Sequence, residues 1–318
     1  SSKVGSSTFA IRAIVATRAP SRVPRSRHPH SYNRCVISVD RVRQLAVELA
    51  RMPSVTESQG ESAFAEHIVA MLRAMPYFQA HPEHIVVRAT RNDFRRRDNV
   101  FALVRGSGRK TVLLAGHYDV VSTANYGSLE HLAFDPDALL PALCDALQAQ
   151  LAALPTPGAD PALAQALADL RSGEFLPGRG MLDMKGGLAI GMAVLERFAA
   201  ESAGAGNLLM LFTPDEENYS HGMRSAVVDL PELLTTWDLD PVLAINLDAA
   251  VNSGDGGDGR AIFFGSVSKL LPFAHIVGRP SHVGAPFDGV NATLLAAELV
   301  REVECNPAYG DRAPTAGE

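Results

Sequence analysis

Aromatic residues make up only 6% of the 318-residue chain, with a single tryptophan. That scarcity disfavours an aromatic-rich β-sandwich and favours aliphatic helices laid on a sheet. Cys35, Cys144 and Cys305 are odd in number and far apart, so they form no disulfide framework and suit a reducing compartment. No apolar run approaches the ~20 residues of a membrane span. Acidic residues are missing from the first 39 positions, which hold seven of the 29 basic groups. All 35 acids therefore lie in residues 40–318, which carry a net charge of −13 against −6 for the whole chain. A body this acidic argues against nucleic-acid binding. A cytoplasmic α/β protein with neither a membrane nor a nucleic-acid partner is expected.

Residues 1–37 are rich in Ser, Arg and Pro and show no sustained periodicity, which predicts a disordered basic extension. Order is expected to begin at Asp40 as a helix N-cap, with Val42, Leu45, Ala46 and Leu49 at helical spacing. Phe64, Ile68, Met71, Leu72 and Met75 mark a second amphipathic helix. Strands are predicted over 99–104 and 111–115, separated by a turn at Gly106-Ser107-Gly108. Residues 136–171 repeat Leu every fourth position and then break at prolines, which reads as a helical hairpin without chemistry. Beyond it come a helix over 186–200, a strand over 207–212, a short helix over 223–228 and a strand over 242–247. Such alternation predicts an α/β fold, a mostly parallel sheet with helices on both faces.

Three apolar segments end alike. Thr111–Ala115 runs into Gly116-His117-Tyr118-Asp119, 207–212 into Thr213-Pro214-Asp215-Glu216-Glu217, and 242–247 into Asp248. Open α/β sheets bind ligands beyond the carboxyl ends of their strands, so one rim collects an imidazole and several acids. Asp183 lies in a Gly-flanked turn, Gly178-Arg-Gly-Met-Leu-Asp-Met-Lys-Gly-Gly187, just before a helix. Taken singly, each piece has an ordinary explanation: a loop pair at His117, a solvated helix start at Glu216-Glu217, an Asx turn or cap at Asp248. Their conjunction is the specific signal. Clustered carboxylates repel unless a cation neutralises them, and imidazole with carboxylate oxygens suits a divalent metal of the zinc type. More than three candidate ligands predict two ions sharing a carboxylate. The Gly-rich turn is no phosphate loop, because Lys185 precedes its last glycines and no Ser or Thr follows.

The stretches Leu114–Val121, Gly178–Gly187, Thr213–Glu217 and Asn246–Asp248 resemble the dinuclear zinc exopeptidases and deacylases. That family includes aminoacylase, acetylornithine deacetylase, succinyl-diaminopimelate desuccinylase and glutamate carboxypeptidase. The likeness is strongest to its arginine-utilisation branch, through the spacer between His117 and Asp183 and through Gly278–Val290. The resemblance implies His117 and Asp248 as ligands of one metal, Asp183 as the carboxylate bridging two ions, and Glu217 as a ligand of the second. It implies Asp119 as the residue orienting His117, Glu216 as general base, and a cis peptide between Asp183 and Met184. Zn2+ is the expected ion, with Co2+ or Mn2+ as alternatives. The implied reaction is attack of metal-activated water on an amide of a small peptide or N-acyl amino acid.

The family also inserts a lid or dimerisation domain. Here 270–277 is its expected first strand and 291–305 its first helix. His282 resembles a lid histidine that stabilises the oxyanion in a homodimer partner's site; read alone, it is a turn histidine. The expected layout is thus a basic extension over 1–37, a metallohydrolase domain over 38–266 with the helical insertion 136–171, and a partial lid over 267–318. The family's second metal takes a histidine after the lid, and this sequence has none after His282. The expectation is an incomplete fragment with little activity of its own. The contrasting reading is a non-catalytic relative kept for binding or assembly, against which the retained Glu216 argues.

Overall fold

In the computed structural model, residues 15–16, 37–156, 158–201, 205–249, 273–304 and 306 are described. The expected extension over 1–37 and the domain boundary at 266/267 fall almost wholly or wholly outside them. The chain divides into two compact units, Ser1–Ala249 and Ala250–Glu318.

Alternating apolar side chains along the strands build the first unit. Its five-stranded sheet comprises β1 (Ile85–Ala89), β2 (Asp98–Val104), β3 (Ser107–His117), β4 (Ala205–Thr213) and β5 (Asp240–Asn246), in the order β1-β2-β4-β3-β5. β3 runs parallel to both β4 and β5, whereas β2 is antiparallel to β1 and to β4. Four strands therefore share one direction and β2 alone opposes them, the mostly parallel arrangement expected from the alternation of elements. Val100, Ala102, Val104, Leu208, Met210 and Phe212 project to one face, and Phe101, Leu103, Leu209 and Leu211 to the other.

The helices are α1 (Val39–Arg51), α2 (Gln59–Arg73), α3 (Pro76–Ala80), α4 (Pro136–Ala152), α5 (Pro161–Arg171), α6 (Gly186–Ala200), α7 (His221–Thr236) and, in the second unit, α8 (Ala292–Val303). The first face packs α1, α2 and α6, through Leu45, Leu49, Phe64, Ile68, Leu188 and Met192 among others. α7 covers the other face with Ala226 and Leu233. α4 and α5 form the expected hairpin around their own cluster of Leu139, Leu143, Leu147, Leu167 and Leu170. Asp135 and Asp160 cap these two helices by accepting from Ala138 N–H and Leu163 N–H, each followed by a first-turn proline. Among the described residues no helix is long and apolar enough to cross a membrane.

Several boundaries differ from expectation. Ser38, not Asp40, caps α1, with its Oγ accepting from Arg41 N–H; Asp40 lies in the first turn, where the dipole favours a carboxylate. α7 runs on to Thr236 through Pro231, a residue that reads as a breaker in sequence. Ser107 and Gly108 belong to β3 rather than to a turn, with Gly108 in the left-handed region (φ 77°). The strand expected over 270–277 is not formed at 273–277, and 270–272 lie outside the described residues.

One aromatic pair ties α2 to the rim of the sheet. Phe64 stacks on Tyr118 with centroids 5.2 Å apart, and the Tyr118 hydroxyl donates to the Asp98 carbonyl. Both rings are fully buried. Phe64→Ala should cost about 3–5 kcal/mol, by analogy with other buried aromatic truncations. Urea denaturation would show it as a lowered midpoint, and an unchanged midpoint would contradict this packing.

Candidate metal centre

The register of the parallel strands brings three polar termini level. His117 pairs with Thr213 at the ends of β3 and β4, Ala115 with Asn246 at the end of β5, and Leu247 N–H donates to the Ala115 carbonyl at 2.9 Å. His117, the 215–217 segment and Asp248 are consequently neighbours on one rim. Asp183 arrives from the turn before α6, and its peptide bond to Met184 is cis, as the resemblance implied. Two glycines permit this approach. A Cβ on Gly116 would collide with the Met184 methyl, and one on Gly187 with the Leu247 carbonyl oxygen beside Asp248.

The His117 ring is 2% exposed and fixed at both nitrogens. Nδ1 donates to the Asp119 carbonyl at 2.9 Å, leaving Nε2 facing Asp183 Oδ1 at 2.9 Å. Glu216 and Asp248 oxygens each lie 4.0 Å from Nε2. Donor atoms of His117, Asp183 and Asp248 all fall within 4.8 Å of one another. One imidazole nitrogen and two carboxylate oxygens at that spacing form a donor set that fits a zinc-type ion. A cleft of about 440 Å³, lined by His117, Thr213, Glu216, Asn246 and Asp248 among others, opens beside them.

The electrostatics favour positive charge at this rim. Burial depresses the His117 pKa, yet hydrogen bonds with Asp119 and Asp183 outweigh it and pull the value up to about 11. Burial, then the charge of Asp183, pushes Glu217 up to about 7. Asp248 is raised, mainly by burial, while the His117 contact holds Asp183 low. A proton and a metal ion therefore compete for Nε2.

Asp119 is fully buried and serves as a hub rather than a donor to an ion. Its Oδ1 accepts from Glu216 N–H at 3.0 Å, and its Oδ2 from Glu217 N–H at 3.2 Å and Thr56 Oγ1 at 3.0 Å. It thereby aims both glutamates and, through its carbonyl, His117. His282 belongs to the second unit, where its Nδ1 accepts from Gly284 N–H at 3.0 Å in an exposed turn.

Sequence reasoning missed the support beneath the glutamates. Buried Arg97 contacts Glu61 at 3.0 Å, Asp93 at 2.7 Å and Asp215 at 2.7 Å. Glu61 also accepts from Asp215 N–H at 2.9 Å, and Asp215 accepts from both His221 N–H and its Nδ1. Asp215 is thus clamped in left-handed backbone (φ 64°), next to Glu216. The available signal was thin. Ser58-x-x-Glu61 reads as a capping box, and Asp93 to Arg97 as a surface i,i+4 pair.

Residues 149–309, just over half of the chain, match the model of Peptidase family M20/M25/M40. The chain belongs to this peptidase family. Among its relatives, the protein YqjN of Bacillus subtilis (strain 168) is 34% identical over 274 residues, covering 86% of this chain and 47% of that protein. Protein RocB of the same organism is 32% identical over 270 residues, covering 84% and 45%. The chain spans about half the length of the curated relatives it matches. Among solved structures, similarity extends to an M20 family metallo-carboxypeptidase, Sso-CP2 from Sulfolobus solfataricus, with 15% identity, 67% of this chain and 38% of that chain covered, and a TM-score of 0.42.

Two substitutions probe how the rim is held. Arg97→Met strands three buried carboxylates and should cost about 3–5 kcal/mol, read as a drop in the denaturation midpoint. Gly187→Ala should cost about 1–3 kcal/mol by overpacking and weaken Zn2+ binding measured by calorimetry. Wild-type affinity in Gly187→Ala would show that the Leu247–Asp248 segment is not held by this contact.

Proposed function

We propose that the protein hydrolyses an amide bond in a small peptide or N-acyl amino acid, with Glu216 as general base. The observation that carries this reading is the convergence of His117, Asp183 and Asp248 within 4.8 Å, with Glu216 4.0 Å from the same imidazole, beside a cleft of small-molecule size. His117, Asp183 and Asp248 would hold one divalent ion, and Asp183 and Glu217 a second, with Zn2+ fitting the donors best. When bound, such ions supply Lewis-acid polarisation and a water acidic enough to react near neutral pH.

The chain's own groups do the rest. Asp119 holds His117 and the two glutamate amides in place. Glu216, side chain half exposed in the cleft, takes the proton from the attacking water and delivers it to the leaving amine. In the second unit, residues 267–318 are proposed as the start of a lid or dimerisation domain. His282 is proposed as the oxyanion-stabilising group offered to a second protomer. A cytoplasmic setting accords with the paucity of cysteine.

Among the described residues the second ion would find only Asp183 and Glu217, so this rim should hold one ion more tightly than the other and turn over slowly. Metal analysis and amide-hydrolysis assays test the reading together. Glu216→Gln should retain the bound metal and lose about 10²–10⁴-fold in rate. Equal rates in Glu216→Gln and wild type would remove Glu216 from the reaction, and a Zn2+ stoichiometry in His117→Ala equal to that of the wild type would overturn the centre itself.

A further inference from the structure

A second cluster of metal-ligating side chains lies far from the described rim. His81, Glu83 and His84 sit in the short connection between α3 and β1, at the amino end of β1. Since β1 runs in the same direction as β3, β4 and β5, that end belongs to the rim opposite the one bearing His117. We propose that His81, Glu83 and His84 form a peripheral site for one divalent transition-metal ion of the imidazole-preferring kind, copper or zinc.

The spacing is the first argument. His81 Nδ1 and His84 Nε2 lie 3.5 and 3.7 Å from the same oxygen, Glu83 Oε1, and the three donor atoms are all within 4.8 Å of one another. These separations exceed a good N–H···O hydrogen bond. They match the roughly 3.4 Å between ligand atoms set on ~2.1 Å arms about a tetrahedral ion. Two imidazoles and a carboxylate, with no thiolate, favour copper, zinc or nickel over calcium or magnesium.

The second argument is preorganisation. Pro82 starts a 3₁₀ turn over Pro82–His84 that brings the two rings together, stacked at 5.2 Å and 17°. The His84 side chain is 12% exposed, and its Nδ1 contacts the Tyr77 hydroxyl at 2.9 Å. That hydroxyl also accepts from Arg105 N–H at 2.7 Å, which anchors Tyr77 to the segment after β2. A histidine tied at one nitrogen by a fixed partner presents the other nitrogen in a set direction, the usual support for a metal ligand. An ion here would staple the α3 turn to the outer strand of the sheet.

The test is Cu2+ titration of the full chain followed by electron paramagnetic resonance. A His117→Asn variant, which lacks the imidazole donor of the other rim, should keep a nitrogen-coordinated copper signal. Adding the His81→Asn/His84→Asn double substitution to that variant, with native circular dichroism, should abolish the signal, and adding Glu83→Gln instead should weaken it at least tenfold in apparent Kd. On unmodified protein, substoichiometric Cu2+ should broaden the NMR ring resonances of His81 and His84, a readout that needs no variant to fold. Copper stoichiometry and spectrum unchanged by the double substitution, or unbroadened ring resonances, would overturn the proposal.

Discussion

Asp119, Asp183, Glu216, Glu217 and Asp248 meet at one end of the sheet, and like charges so placed repel unless something positive sits among them. The fold resolves this crowding in two layers. Nearest the cleft, His117 lies between Asp119 and Asp183, its pKa raised to about 11 by those neighbours. Deeper, Arg97 bridges Glu61, Asp93 and Asp215, and all four side chains are buried. Burial alone would raise the Asp93 pKa, but hydrogen bonds from Arg97 and Thr90 hold it well below the usual carboxylate range. The upper layer invites an ion, whereas the lower layer already contains its cation and so stays structural.

The two layers are joined through backbone. Asp215 is held by Arg97 and Glu61 below, while the next two amides, of Glu216 and Glu217, donate to Asp119 above. The direction of the glutamate side chains is therefore set by main-chain geometry that two buried acids enforce. Beside this path Lys185 is buried, and among the described residues no carboxylate is in contact with it. Its Nζ donates to the Met52 carbonyl at 2.7 Å and lies 4.5 Å from the centre of the Phe64 ring. Desolvation brings its pKa down to about 7. It links the Asp183 turn to the end of α1 and to the same aromatic pair that supports Tyr118.

Much of this was legible in the chain itself, for a physical reason. Apolar runs that stop abruptly at His117, Asp215–Glu217 and Asp248 mark strands whose carboxyl ends carry polar groups, and parallel pairing alone then makes those groups neighbours. Leucines every fourth residue announced the α4–α5 hairpin because helical periodicity is local. The Arg97 cluster was not legible. Its members come from residues 61, 93, 97 and 215, and only the tertiary fold brings them together, while each has an innocuous local reading. Helix limits failed where capping competes at close quarters, as between Ser38 and Asp40, or where a proline is tolerated, as at Pro231.

β5 holds Asp248 at its end, yet every residue from Asp240 to Asn246 is exposed, and among the described residues only β3 pairs with it. A strand supported along one side opens locally at lower free energy than the buried strands beside it. His117, by contrast, is built into the protected middle of the sheet. The ligand set is thus rigid at one corner and compliant at another, and capture of an ion couples to ordering of the sheet's margin. Affinity at this rim then reports the stiffness of an outer strand as much as the chemistry of the donors.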